Sequence, residues 1–142
     1  MLLNSMEIKV EWGDCDPAGI VYYPNYFSWF SQGTHALFDA AGIPFHELIA
    51  TYKIAGVPML DTRATFKAPV RFGDVITLTS SLEEWRNKSF VVDHEVYKAG
   101  ELAAECREVR AWVVRDGAAP NGIRAMPIPE EVKSRFRTAL RH

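Results

Sequence analysis

The chain predicts an α+β fold in which an antiparallel sheet wraps around one long helix, and three observations carry that expectation. One amphipathic helical pattern, about 25 Å long at 1.5 Å per residue, occupies residues 25–41. Four strand-like runs follow it, joined by tight turns, which is the order of an antiparallel meander. No internal repeat, low-complexity tract or linker divides residues 1–142, and 142 residues with 48% apolar content suit one hydrophobic core. A single domain over 1–142 is expected.

The elements follow in order. Residues Glu7–Trp12 alternate, with Ile8, Val10 and Trp12 on one face, the period of a half-buried strand. The helix over 25–41 places Phe27, Phe30, Thr34, Leu37, Phe38 and Ala41 at spacings of three and four, with Asn25 as N-cap and Gly42 as C-cap. Pro44–Lys53 reads as partly helical. The strand-like runs are Gly56–Ala68, Val75–Trp85, Phe90–Lys98 and Leu102–Arg115, separated by Pro69–Asp74, Asn87–Ser89 and Ala99–Glu101. Ile123–Met126 reads as a short edge strand. Pro129-Glu130-Glu131 opens a last helix with Val132, Phe136 and Leu140 as its apolar stripe, and Arg135, Arg137 and Arg141 suit its C-terminal end. One sheet around one helix leaves a face on which Trp85 and Trp112 would be exposed, so association of subunits is expected.

Composition excludes several classes. A net charge of −2 gives no general attraction to nucleic acid or to an anionic membrane surface. No apolar run approaches the ~20 residues of a membrane span. Met1-Leu2-Leu3-Asn4-Ser5 lacks the basic and apolar regions of a signal peptide, so a cytoplasmic location with Cys15 and Cys106 as free thiols is expected.

Between the first strand and the long helix lies Trp12-Gly-Asp-Cys-Asp-Pro-Ala-Gly-Ile-Val-Tyr-Tyr-Pro-Asn-Tyr26, where Asp14 and Asp16 flank Cys15 and Gly13, Pro17, Gly19 and Pro24 impose turns. The first turn of a helix leaves N–H groups unpaired, which favours an oxyanion there. An Asp in such a loop is ordinarily an Asx-turn or capping residue. Cys15 has no neighbouring His or cation to make it a thiolate. His35, His46, His94 and His142 have no metal-ligand spacing, so no metal is expected, and His94 alternates onto the face of Phe90, Val92 and Val96, as a hydrogen-bonded core histidine would. No G-x-S-x-G elbow or phosphate-binding glycine loop is present.

The segment from Gly13 to Tyr26, together with Glu84-Trp-Arg-Asn-Lys-Ser-Phe90 and the order of elements, closely resembles the hotdog-fold acyl-CoA thioesterases of the 4-hydroxybenzoyl-CoA thioesterase type, from about Ile8 to Pro129. The resemblance implies a hotdog fold and hydrolysis of an acyl-CoA thioester, with no cofactor because coenzyme A is part of the substrate. It implies that Asp16 is the catalytic carboxylate in a loop that includes Gly19, and that the Tyr23 backbone N–H polarises the thioester carbonyl. Arg86, Lys88 and Ser89 fall where that family holds coenzyme A phosphates. Ser31 falls where an Asp receives the phenol of 4-hydroxybenzoyl-CoA, and His46, Val57, Pro58 and Met59, with Pro44 and Phe45, are expected to line the acyl pocket. A homotetramer built from dimers, with active sites between subunits, is also implied.

The chemistry of these residues agrees with the resemblance. A thioesterase needs a group that attacks or activates water and a donor for the oxyanion, while a thiolate departs without a strong general acid. Direct attack by Asp16 and general-base action both remain open on sequence, with attack favoured for aryl substrates. Competing readings are a thioesterase for short or medium acyl-CoA or for acyl-carrier protein, a non-catalytic acyl-CoA-binding module, and a hotdog hydratase. Asp16 argues against the module, Tyr23 in place of His against the carrier-protein enzymes, and the lack of an Asp–His pair against the hydratase.

Overall fold

The computed structural model of the chain describes residues 2–139. Its elements are β1 (Leu3–Lys9), α1 (Pro24–Ala40), α2 (Phe45–Tyr52), β2 (Ile54–Gly56), β3 (Met59–Phe66), β4 (Val75–Trp85), β5 (Ser89–Lys98), β6 (Glu101–Ala111), β7 (Val113–Arg115), β8 (Ile123–Ala125) and α3 (Glu130–Ala139). A five-stranded antiparallel sheet runs β1-β4-β5-β6-β3, and a small sheet runs β2-β7-β8. The fold is the expected α+β hotdog, with α1 packed across β1, β4 and β5.

Two expected strands prove to be two elements each. The run Gly56–Ala68 is broken at Val57-Pro58, where proline has no N–H for the ladder and its carbonyl instead accepts from Ala111 N at 2.9 Å. Leu102–Arg115 is broken at Trp112, whose side chain turns into the core. Both runs therefore cross between the large sheet and the small one at the same place.

β1 begins earlier than its hydrophobic pattern, because pairing with β4 from Leu3↔Ser81 onward holds even Asn4 in the ladder. Its alternation ends at Val10, since Trp12–Asp14 form a 3-10 turn and Trp12 is 74% exposed rather than half-buried. Asn25 is not the N-cap of α1. Tyr23 occupies that position and Pro24 the first helical one, while the Asn25 side chain donates to Asp14 O at 2.8 Å. At the other end Ala41 is the cap and Gly42 follows it. Gly42 N–H bonds to Asp39 O and Ile43 N–H to Phe38 O, both at 3.0 Å, the paired bonds of a Schellman stop.

The buried face of α1 is wider than predicted, adding Tyr26, Trp29 and Gly33, because the curled sheet meets the helix on more than one side. Gly33 permits the closest approach. A Cβ there would run into Ser80 Oγ and lie 3.0 Å from Leu78 Cδ2 and 3.1 Å from His94 Nδ1. Val132 and Phe136 of α3 close the far end of the core against Phe38 and Trp85, and Leu140 and Arg141 lie outside the described residues.

The outer face of the sheet is not the apolar surface expected. Trp112 is 2% exposed and Trp85 packs on Phe90 and Phe136, while that face carries the ion pairs Asp93–Arg107 and Lys67–Glu105. Exposed apolar groups lie instead on β3, one of the sheet's two edge strands, where Leu60 is 62% and Phe66 44% exposed.

Candidate active site

The loop before α1 is held by its own backbone. Asp16 N–H bonds to Ile20 O, Gly19 N–H to Asp16 O and Val21 N–H to Val70 O, and Ile20 bridges Arg71. Asp14 is committed to this scaffold, because its Oδ2 accepts from Glu11 N at 2.8 Å and its carbonyl accepts from Tyr22 N and Asn25 Nδ2. Asp16 differs. One oxygen accepts from Ala18 N at 2.8 Å, an Asx-turn, and the other has no partner among the described residues. Gly19, at φ +79°, supplies the turn, and its N–H is consumed by Asp16 O, so its contribution is conformational.

Asp16 and Tyr23 line one cleft of about 470 Å³ with Ile20, Val21, Tyr26 and, from the end of β3 onward, Phe66–Val70. The Tyr23 N–H finds no acceptor among the described residues, as helix geometry dictates at an N-terminus. Burial pushes the Tyr26 phenol up to about 12. The cleft is therefore lined both by Asp16, one of whose carboxylate oxygens has no partner among the described residues, and by Tyr23, whose N–H has none, beside the apolar Ile20, Val21, Phe66 and Val70. Cys15 lies outside it with its thiol on Glu11 O, and burial pushes the Cys106 thiol up to about 11.

A second, larger cavity of about 590 Å³ lies at the opposite end of β3. Val57 and Pro58 line it, with Phe45, Ile49, Ile54 and Val113. His46 and Met59 do not. His46 sits on the exposed side of α2, one position from Phe45, and Met59 lies on the edge strand. His35 and Arg110 line the cavity instead, and neither is singled out by its local sequence.

Ser31 lies beside this cavity, with Oγ accepting from Arg110 Nη2 at 3.1 Å and its carbonyl accepting from His35 Nδ1 at 2.9 Å. Arg110 also binds both oxygens of Glu108. Glu108 accepts from Thr34 at 2.7 Å and lies 3.1 Å from His94 Nε2, and His94 Nδ1 meets Ser80 at 2.7 Å. Burial would raise the Glu108 carboxyl, but hydrogen bonds from His94 and Arg110 outweigh it and hold the group at about 2.

The β4–β5 hairpin lies at the same end, tied by Trp112 N to Lys88 O. Arg86 is paired with Glu84 at 3.0 Å, Lys88 is exposed without an ion pair among the described residues, and Ser89 pairs with Ala111. Among the described residues no helix is long and apolar enough to cross a membrane, and no group of three His, Cys, Asp or Glu side chains is arranged to hold a metal.

Sheet order, the long helix and the cleft at its N-terminus define a hotdog-fold protein of the acyl-thioester-processing class. The sequence model of the thioesterase-like superfamily matches residues 10–136, and the chain belongs to that family. It is 32% identical over 133 residues to the 4-hydroxybenzoyl-CoA thioesterase of Pseudomonas sp. strain CBS-3, covering 89% of this chain and 92% of that protein. The crystal structure of a 4-hydroxybenzoyl-CoA thioesterase from that strain superposes with a TM-score of 0.87 at 32% identity, over 94% of this chain and 98% of the other. A gentisyl-coenzyme A thioesterase superposes with a TM-score of 0.79 at 35% identity, over 94% and 99%. An Asp-to-Asn variant of a 4-hydroxybenzoyl-CoA thioesterase, crystallised with 4-hydroxybenzoyl-CoA, superposes with a TM-score of 0.86 at 31% identity, over 94% and 98%.

Proposed function

We propose that this chain, acting as one domain over 1–142, hydrolyses aryl-CoA thioesters with Asp16 as the catalytic carboxylate. The observation that carries the reading is that Asp16, with one oxygen that has no partner among the described residues, and Tyr23, with an N–H that has no acceptor among them, line the same cleft. Asp16 attacks the thioester carbon, the carbonyl oxygen becomes an oxyanion on the Tyr23 N–H, and collapse expels the coenzyme A thiolate. The mixed anhydride is then hydrolysed by water to the free acid, restoring Asp16. In the second route Asp16 takes a proton from water, and the hydroxide attacks the same carbon. An Asp-to-Asn variant crystallised with its substrate among the relatives supports giving this chemistry to a carboxylate.

Assembly makes the site whole. The Asp16 cleft and the larger cavity lie at opposite ends of β3, about 26 Å apart at 3.3 Å per residue. A two-fold copy pairing its own β3 antiparallel to this edge brings the Phe66 end of one protomer to the Met59 end of the other, joining a cleft to a cavity. The same pairing covers Leu60. The acyl group then occupies the cavity bounded by Val57 and Pro58 near Ser31, with His46 and Met59 at its margin. Lys88, Arg86 and Ser89 hold the coenzyme A phosphates, as cations at a hairpin tip do. A tetramer of such dimers in the cytoplasm, working without a cofactor, completes the reading. Thiol release from purified protein on a panel of benzoyl, hydroxybenzoyl, phenylacetyl and aliphatic CoA thioesters tests it. Turnover of aryl members is expected, and turnover of aliphatic members alone would overturn the aryl assignment.

A further inference from the structure

The Asp16 cleft contains a polar group that neither route proposed above uses, the phenol of Tyr26. Tyr26 lines the cleft and is 4% exposed. Burial alone raises its phenol to about 12, with no hydrogen bond or neighbouring charge contributing. The hydroxyl has no hydrogen-bond partner among the described residues, yet none of their buried side-chain oxygens is left without one, so this hydroxyl is not sealed in the core. A tyrosine so nearly enclosed meets solvent through its polar tip, at the cleft that it lines.

The ring that carries the hydroxyl is fixed on three sides. Its centroid lies 5.4 Å from that of Trp29, 6.2 Å from that of Phe30 and 4.9 Å from that of Phe66, the last residue of β3. Tyr26 is the third residue of α1, and its N–H bonds to Tyr23 O at 3.1 Å. Helical side chains lean toward the N-terminus, so the phenol lies over the turn that opens with the Tyr23 N–H. No hydrogen bond joins it to Asp16, whose bonded oxygen accepts from Ala18 N, so the donor is not spent on the carboxylate. A thioester brings one strong acceptor to the reacting centre, its carbonyl oxygen, and that oxygen gains negative charge as the carbon is attacked. In a cleft walled by Ile20, Val21, Phe66 and Val70 a fixed donor to that charge is worth more than in water.

We propose that Tyr26 is a catalytic residue whose hydroxyl donates a hydrogen bond, in addition to that of the Tyr23 N–H, to the thioester carbonyl oxygen as it becomes an oxyanion. The phenol keeps its proton throughout, and it acts in the same way whether Asp16 or water attacks the carbon. The inference rests on the thioesterase reading and on the seating of the thioester in this cleft.

The test is Tyr26→Phe, which keeps the ring and its packing and removes a hydroxyl that has no protein partner to lose, so the unfolding midpoint should not fall. Steady-state hydrolysis of 4-hydroxybenzoyl-CoA should show kcat lowered by about 10-fold or more with KM within about threefold of wild type, because loss of one oxyanion donor costs up to about 1,000-fold in kcat. Tyr22→Phe, on an exposed tyrosine outside the cleft lining, should leave both constants unchanged. A smaller fall in kcat overturns the proposal. So does a rise in KM with kcat held, which would put the hydroxyl on the pantetheine arm of the substrate. A second measurement reads the contact without turnover, as the carbonyl stretch of 4-hydroxybenzoyl-CoA bound to Asp16→Asn. Hydrogen bonding lowers that frequency, so adding Tyr26→Phe should move it up toward the value of the free thioester, and an unchanged frequency overturns the proposal. If wild type hydrolyses no thioester, the thioesterase reading fails, and the same stretch in the thioester bound to wild type and to Tyr26→Phe decides this inference alone.

Discussion

Glu108 gives the fold a defined acid sensitivity. Its carboxyl, 1% exposed, is held at about 2 in the folded protein against an ordinary value of 4.5. Because the folded value is depressed, the stabilisation is fully present above pH 4.5 and is lost as pH falls toward 2. The difference corresponds to about 3 kcal/mol at 1.36 kcal/mol per unit. Glu108→Gln removes this titration and strands Arg110, costing about 3–5 kcal/mol at neutral pH. Urea unfolding at fixed protein concentration measures both proteins from pH 7 to 2. The gap between wild type and Glu108→Gln should narrow by about 3 kcal/mol between pH 5 and 2. A gap that stays constant over that range would refute the assignment of a charged, hydrogen-bonded carboxylate to this position.

Three further outcomes follow from the packing. Gly33→Ala drives a methyl into Ser80 and toward His94, and should lower unfolding stability by about 1–3 kcal/mol, as overpacked sites do, measured by chemical denaturation. Lys88→Ala should raise KM for acyl-CoA more than Arg86→Ala does, because Glu84 already engages Arg86, and the effect should shrink with added salt. Leu60→Glu, on the edge strand β3, should dissociate the proposed β3-paired dimer in sedimentation and abolish turnover together with it.

The elements with strong local signals were legible. The three-and-four spacing of Phe30, Thr34, Leu37 and Phe38 locates α1, and Pro24 and Gly42 sit at its two ends. What escaped was set by distant partners. In β6, Glu108 and Arg110 point inward while Val109 is only half-buried, the reverse of a hydropathy alternation. Only Thr34, His94 and Ser31, brought together by folding, make that inversion favourable. His35 was missed for the same reason, and His46 was misplaced by one step around α2 because Phe45 takes the cavity side. The premise that Trp85 and Trp112 lie on an open face failed because the bend at Trp112 carries its ring into the core. The apolar surface lies instead on β3, whose strand pattern gives no sign that it is an edge. In the motif loop Asp14 is bonded into the scaffold, and Asp16 lines the cleft.

Asp16→Asn tests whether the Asp16 carboxylate performs the chemistry. The amide carbonyl can still accept from Ala18 N, so the turn and the fold should survive, as circular dichroism and thermal unfolding would register. Steady-state hydrolysis of 4-hydroxybenzoyl-CoA by the folded variant should show kcat reduced by about three orders of magnitude or more with KM little changed, the pattern of an interaction made only in the transition state. A folded Asp16→Asn protein that turns over within about tenfold of wild type would contradict the account.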